Sequence, residues 1–313
     1  MNSGKLLSKS KLLIYIVSFF SVILWGISYI WTNQLIEMNI PIYYFVFVRI
    51  LIAGIILFLL NAARGNIMKI KRQDLGKFLL LSLFEPFLYF LCETSGVKAT
   101  ESPSLSAMII ATIPIFSIFA GRLFFKEKIS LINIIGITLS LGGILLVVIN
   151  KTVLGEHYLL GIGLLFIAVI SEVGHAIITK KLSNAYSSQV IVMYQFLIGS
   201  VYLLPFMLNY GLRDFDPKFY FSADVMYPII CLSILCSSIA FTLWISTIKS
   251  LGIAKSSIFL ALIPIIASIA AWVLGEESLN SRQIIGIVVS SIGLIISQLK
   301  FKKHSRHQEK DPH

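Results

Sequence analysis

The 313-residue chain predicts an all-α polytopic membrane protein: ten transmembrane helices arranged as two inverted five-helix repeats. Three observations carry this. Apolar residues make up 57% of the chain and charged residues 13%, whereas soluble domains carry about 25% charged residues. Apolar runs long enough to cross a bilayer recur along the whole length. Residues 104–146 also align without a gap to residues 254–296.

The first five spans follow in order. Span 12–33 is too long for the ~7–15-residue apolar core of a cleaved signal, and no small-residue cleavage site follows it. Its Ser18, Ser21, Trp25, Ser28 and Thr32 fall on one helical stripe, read either as a cavity wall or as a hydroxyl-bonded packing face. Span 42–61 holds Arg49, and span 77–97 holds Glu85, Tyr89 and Glu93 at four-residue spacing. Charges at membrane depth cost about 2.5–3.5 kcal/mol each even on the milder scale, so these residues mark function or pairing. An ion pair between Arg49 and one glutamate is the structural reading. One arginine cannot neutralise two carboxylates ~12 Å apart on a helix, which leaves at least one either protonated or open to a cavity. Span 103–125 carries Pro114 in mid-run, and span 130–149 carries Gly136 and Gly143 on one face.

The second five begin with span 158–179, where Ser171, Glu172 and His175 lie together. Glu172 and His175 have a metal-ligand spacing. No second intramembrane histidine completes such a site, so a hydrogen-bonded or protonatable pair is the better reading and no metal is expected. Span 188–209 is followed by the longest connection, 210–225. Span 226–248 carries Trp244, a candidate cavity or core aromatic. Spans 254–275 and 281–299 repeat the pattern of spans four and five, with Pro264 matching Pro114, Glu277 matching Glu127, and Gly286 and Gly293 matching Gly136 and Gly143. Asn280 and Gln283 have the spacing of a helix-capping pair. Cys92, Cys231 and Cys236 all fall inside spans and suggest neither a disulfide nor a zinc site.

Shared Pro, Glu and Gly in register mark a true internal repeat. Five helices per copy is odd, so the second copy inserts upside down, the architecture of alternating-access carriers. Pro114 and Pro264 are candidate hinges or kinked packing seams, since each removes a backbone hydrogen bond from its helix. Glu127 and Glu277 read as helix ends at the interface. The net charge of +11 is topological: 20 Lys/Arg fall on the side of the N-terminus, five on the other, and Arg49 lies within a span. That asymmetry predicts a plasma (inner) membrane protein with both termini cytoplasmic and no nucleic-acid partner.

Trp25-Gly26, Arg49, the twice-used proline-to-glutamate helix ending and the paired glycines together resemble the EamA family of the drug/metabolite transporter superfamily. The first copy departs from the pattern, since "FFKEK" lacks the glycine that Gly275 supplies in the second. The resemblance implies repeats over 12–149 and 158–299, with 300–313 a polar cytoplasmic tail. It implies a secondary transporter or facilitator of a small organic solute, an amino acid or related metabolite moving outward. No nucleotide-binding loop is present, so no cofactor is expected, and the partners are the solute and the lipid bilayer. Proton coupling and a homodimer stay open. The substrate-binding or coupling candidates are Trp25, Ser28, Arg49, Glu85, Tyr89, Glu93, Glu172, His175 and Trp244, with no catalytic residue. The alternatives are an intramembrane enzyme on a lipid-like substrate and a non-transporting sensor or scaffold.

Overall fold

The computed structural model describes residues 3–66, 68–125, 130–148, 156–212, 215–251, 256–275 and 280–297. Glu127, Glu277 and the tail 300–313 lie outside the described residues, as does the side chain of Pro264. Every regular element among the described residues is helical: α1 (Ser3–Glu37), α2 (Ile42–Ala63), α3 (Leu75–Ser82), α4 (Tyr89–Thr100), α5 (Pro103–Ile110), α6 (Ile113–Phe125), α7 (Leu131–Val148), α8 (Glu156–Leu182), α9 (Ser188–Phe206), α10 (Pro217–Tyr220), α11 (Ala223–Cys231), α12 (Ala240–Leu251), α13 (Ile263–Val273) and α14 (Ser281–Ser297). Six helical stretches among the described residues are long and apolar enough to cross a membrane, and two shorter apolar helices accompany them.

Several predicted spans are interrupted. The third is divided between α3 and α4 by a π-helical segment, Leu83–Leu88, in which Glu85 has extended backbone angles (φ −143°, ψ 124°) and precedes Pro86. The fourth breaks at Ala111–Thr112, so Pro114 becomes the second residue of α6. Its counterpart runs as a 3₁₀ segment, Ser257–Leu262, before Pro264 enters at the start of α13. Both prolines therefore open a new helical segment, where a missing N–H costs little. The eighth span is π-helical over Leu232–Ile239. The connection 210–225 holds the single-turn helix α10.

Local signals fix the helix starts. The Ser102 and Ser187 hydroxyls accept from Leu105 N and Val190 N and cap α5 and α9. Asn280 and Gln283 exchange two hydrogen bonds of 2.9 and 3.0 Å and so form a reciprocal capping box on α14.

Small residues bring the helices into close contact. A side-chain carbon added at Gly143 would meet the backbone of Ser290 and Gly286, and one at Gly293 would meet Ser140 and Gly136. The Ser140 and Ser290 hydroxyls touch at 3.3 Å, so the α7–α14 seam is built from equivalent positions of the two copies. Gly96 and Gly161 likewise let α4 and α8 approach backbone to backbone. The interior holds two large apolar clusters and a small third one at Ala111 and Ile115, and Trp25 and Tyr89 pack against both large ones. On the side of the α2–α3 and α8–α9 connections, the Tyr186 hydroxyl donates to Asp74 (3.0 Å) and accepts from Lys71 N (3.0 Å). Lys77 pairs with the same carboxylate at 2.6 Å.

Candidate functional site

Where the two large apolar clusters meet, α1, α2, α4, α8 and α12 line a small, partly open cavity with about 40 Å³ of room for the centres of water-sized molecules. Its lining includes eight of the nine predicted binding or coupling candidates: Trp25, Ser28, Arg49, Glu85, Tyr89, Glu93, Glu172 and Trp244. His175 stands immediately behind Glu85 and Glu172. Ile110 and Ile113 from one broken span, and Leu260 and Ile263 from the other, complete the wall.

The aromatic side is preorganised. Trp25 Nε1 donates to the Cys236 carbonyl at 3.1 Å, a backbone group in the π-helical part of the eighth span. Its ring meets Phe241 and Trp244 edge-on, with centroids 5.1 and 5.2 Å away. The predicted polar stripe of the first span divides. Ser18 and Ser21 donate to Thr247 and to the Ala240 carbonyl across the α1–α12 interface and belong to packing. Ser28 lines the cavity, although its hydroxyl is used on the Trp25 carbonyl at 2.7 Å.

The expected ion pair between Arg49 and a glutamate is not formed. Arg49 Nε donates to Ser237 Oγ at 2.8 Å, and the guanidinium lies 4.3 Å from the centroid of the Phe90 ring. Stacking on an aromatic face suits the weakly hydrated guanidinium. Glu93 instead accepts from the Tyr89 hydroxyl at 3.2 Å, with Tyr29 close beside it. Tyr89 and Glu93 do share a face. Glu85 lines the same cavity from an extended stretch of backbone.

Glu85 turns toward α8. Its Oε2 lies 2.9 Å from His175 Nδ1, and Glu172 Oε2 lies at the same distance from the same nitrogen. The nitrogen is hydrogen-bonded to Glu172, which leaves Glu85 Oε2 buried without a hydrogen-bond partner. On the far side of the ring, Nε2 is 3.2 Å from both Gln195 Oε1 and Thr179 Oγ1. The three donor atoms of Glu85, Glu172 and His175 lie within 4.8 Å of one another, a spacing wide enough for a proton or a small cation.

Sequence reasoning missed Tyr29, Phe241, Ser237 and Gln195. Gln195 was the most legible, as an amide in the middle of an apolar span. Tyr29 sits one turn beyond Trp25 and would have joined the stripe had aromatic residues been counted throughout. Ser237 and Phe241 carried no signal of their own, since their roles depend on where Arg49 and Trp25 point.

Comparison with known proteins agrees with this architecture. The model of the EamA-like transporter family matches residues 12–149 and again 159–298. The uncharacterized transporter YetK of Bacillus subtilis (strain 168) is 26% identical over 307 residues, covering 96% of this chain and 91% of its own. YoaV, an uncharacterized transporter from the same organism, is 22% identical, with 90% and 95% covered. An uncharacterized transporter of Archaeoglobus fulgidus is 24% identical, with 73% and 79% covered. One solved crystal structure superposes with a TM-score of 0.69 at 14% identity, covering 90% of this chain and 95% of that one, a likeness of fold.

Proposed function

The chain belongs to the EamA-like transporter family and is an integral membrane transporter, and from that premise we propose that it is a secondary carrier exporting a small amine-bearing metabolite such as an amino acid. The family is one of transporters, which sets aside the intramembrane enzyme. The observation that carries the reading is the cavity between the two repeat segments, with Trp25, Trp244 and Phe241 on one side and Glu93 with its tyrosines on the other. A buried carboxylate among aromatic rings suits an ammonium group, and Arg49 in the same wall suits a carboxylate. A non-transporting scaffold has no use for such a cavity.

Alternating access would use the two broken spans. Their breaks line the cavity next to Pro114 and Pro264, and discontinuous helices around a central site are typical of inverted-repeat carriers. The two halves would rock about the glycine–serine seam, with protons as the coupling ion.

The test is uptake of isotope-labelled amino acids into liposomes holding the full-length purified protein, assayed as counterflow with each amino acid preloaded in turn. The expected result is counterflow above protein-free liposomes for at least one of them, strongly reduced in Glu93→Gln. Absence of counterflow for every amino acid from well-folded protein refutes the substrate class.

A further inference from the structure

We propose that Glu85, Glu172 and His175 form a single proton-binding site, separate from the solute contact at Glu93, that ties the two repeats together and couples transport to protons. The assignment rests on the reading of the chain as a coupled secondary carrier. It goes beyond that reading by choosing one of several intramembrane acids and giving it a mechanical role.

The first argument is charge. Two carboxylates converge on one imidazole nitrogen, and a single N–H can be well aligned with only one of them. Glu85 Oε2 is the oxygen left without a hydrogen bond, on a side chain 3% exposed. Even with the imidazole protonated, two carboxylates leave one negative charge uncompensated at membrane depth, which is costly unless a cation joins them. The titratable and charged groups facing the cluster are few. Among the described residues, Tyr29 comes from α1, Tyr89 and Glu93 from α4 and Arg49 from α2, while α9 contributes the amide of Gln195. Arg49 is engaged with Ser237 and Phe90, and no lysine lines the cavity. A proton shared among the three side chains supplies the missing charge.

The second argument is position. Glu85 belongs to the first family-matched segment, and Glu172 and His175 belong to the second. The cluster is therefore a bond between the halves that must move relative to one another. Glu85 sits at the extended interruption between α3 and α4, where the backbone is not held in a continuous helical ladder. Glu85 and Glu172 also line the cavity, so water entering with the solute reaches them. Loading a proton onto the carboxylate pair holds the halves together. Releasing it leaves two like charges side by side and favours their separation.

Two measurements test this on the full-length protein. The first needs no solute: infrared spectra of the protein in nanodiscs, acidified stepwise, read the carboxylic-acid C=O band. We expect a band that is lost in both Glu85→Gln and Glu172→Gln and kept in Glu93→Gln. A band lost only in Glu93→Gln, or unchanged in all three variants, overturns the assignment. The second compares labelled amino-acid uptake in liposomes with and without an imposed pH gradient. The ratio of the two rates is expected to fall to unity in Glu172→Gln and to recover in Glu172→Asp, while Glu93→Gln lowers both rates together. A ratio unaffected by Glu172→Gln overturns the proposal, as does uptake abolished by EDTA and restored by a divalent metal. If the parent chain moves none of the amino acids, the carrier reading fails, and the infrared result still decides the proton site.

Discussion

Glu93 and Arg49 reach the cavity by opposite routes, and substitutions should separate them. Glu93 holds a hydrogen bond from Tyr89 and faces the cavity. A hydrogen bond to a charged group contributes about 1.5–3 kcal/mol, so Glu93→Gln should cut the initial rate of labelled amino-acid uptake at least ~10-fold. Tyr89→Phe removes one donor to that carboxylate but keeps its charge, so its loss of rate should be smaller than that of Glu93→Gln. Arg49 is different, because its guanidinium is packed as an aromatic ring would be, against Phe90, with Ser237 fixing its orientation. Lysine offers a compact, strongly hydrated ammonium in place of the guanidinium fork. Arg49→Lys should therefore lower the melting temperature of the detergent-solubilised protein as well as its transport, and a variant with unchanged melting would contradict this packing.

At the scale of elements, α7 offers an internal control. Gly143 lies against the backbone of α14, while a side chain added at neighbouring Gly142 meets nothing within 4 Å. Gly143→Val should lose about 1–3 kcal/mol of stability through overpacking, and Gly142→Val should stay close to the parent in thermal melting. Equal effects would show that the seam is looser than these contacts require. Which elements the sequence makes legible follows the same physics. Apolar length and the shared Pro and Gly registers identify the spans and the duplication, because both depend on residue type alone. The interruptions at Glu85, at Ala111–Thr112 and through Leu232–Ile239 are not legible, since they depend on which partner the freed backbone meets. Behind that hidden break Glu85 also meets His175, a contact that its spacing from Tyr89 does not announce. The site residues were identifiable as buried charges, but their pairing was not.

The whole molecule is constrained by topology and by one internal reporter. Twenty Lys/Arg on the side of the N-terminus against five on the other predict that both termini face the cytoplasm. Single cysteines placed at Ser3 and Ser305 of a cysteine-free variant should react with a membrane-impermeant maleimide in inverted vesicles and resist it in intact cells. Labelling of either in intact cells would reverse that orientation. The contact between Trp25 and Trp244 carries a further consequence. The chain has four tryptophans; Trp31 packs on the core and Trp272 is 64% exposed, while the other two meet inside the cavity. Their edge-on contact makes the cavity a built-in optical sensor: under the proposed carrier function, a solute entering between the rings would change how each indole quenches the other. With Trp31 and Trp272 replaced by phenylalanine, every ultraviolet photon emitted by an indole would come from the cavity itself, and its occupancy could be followed in real time without any attached dye.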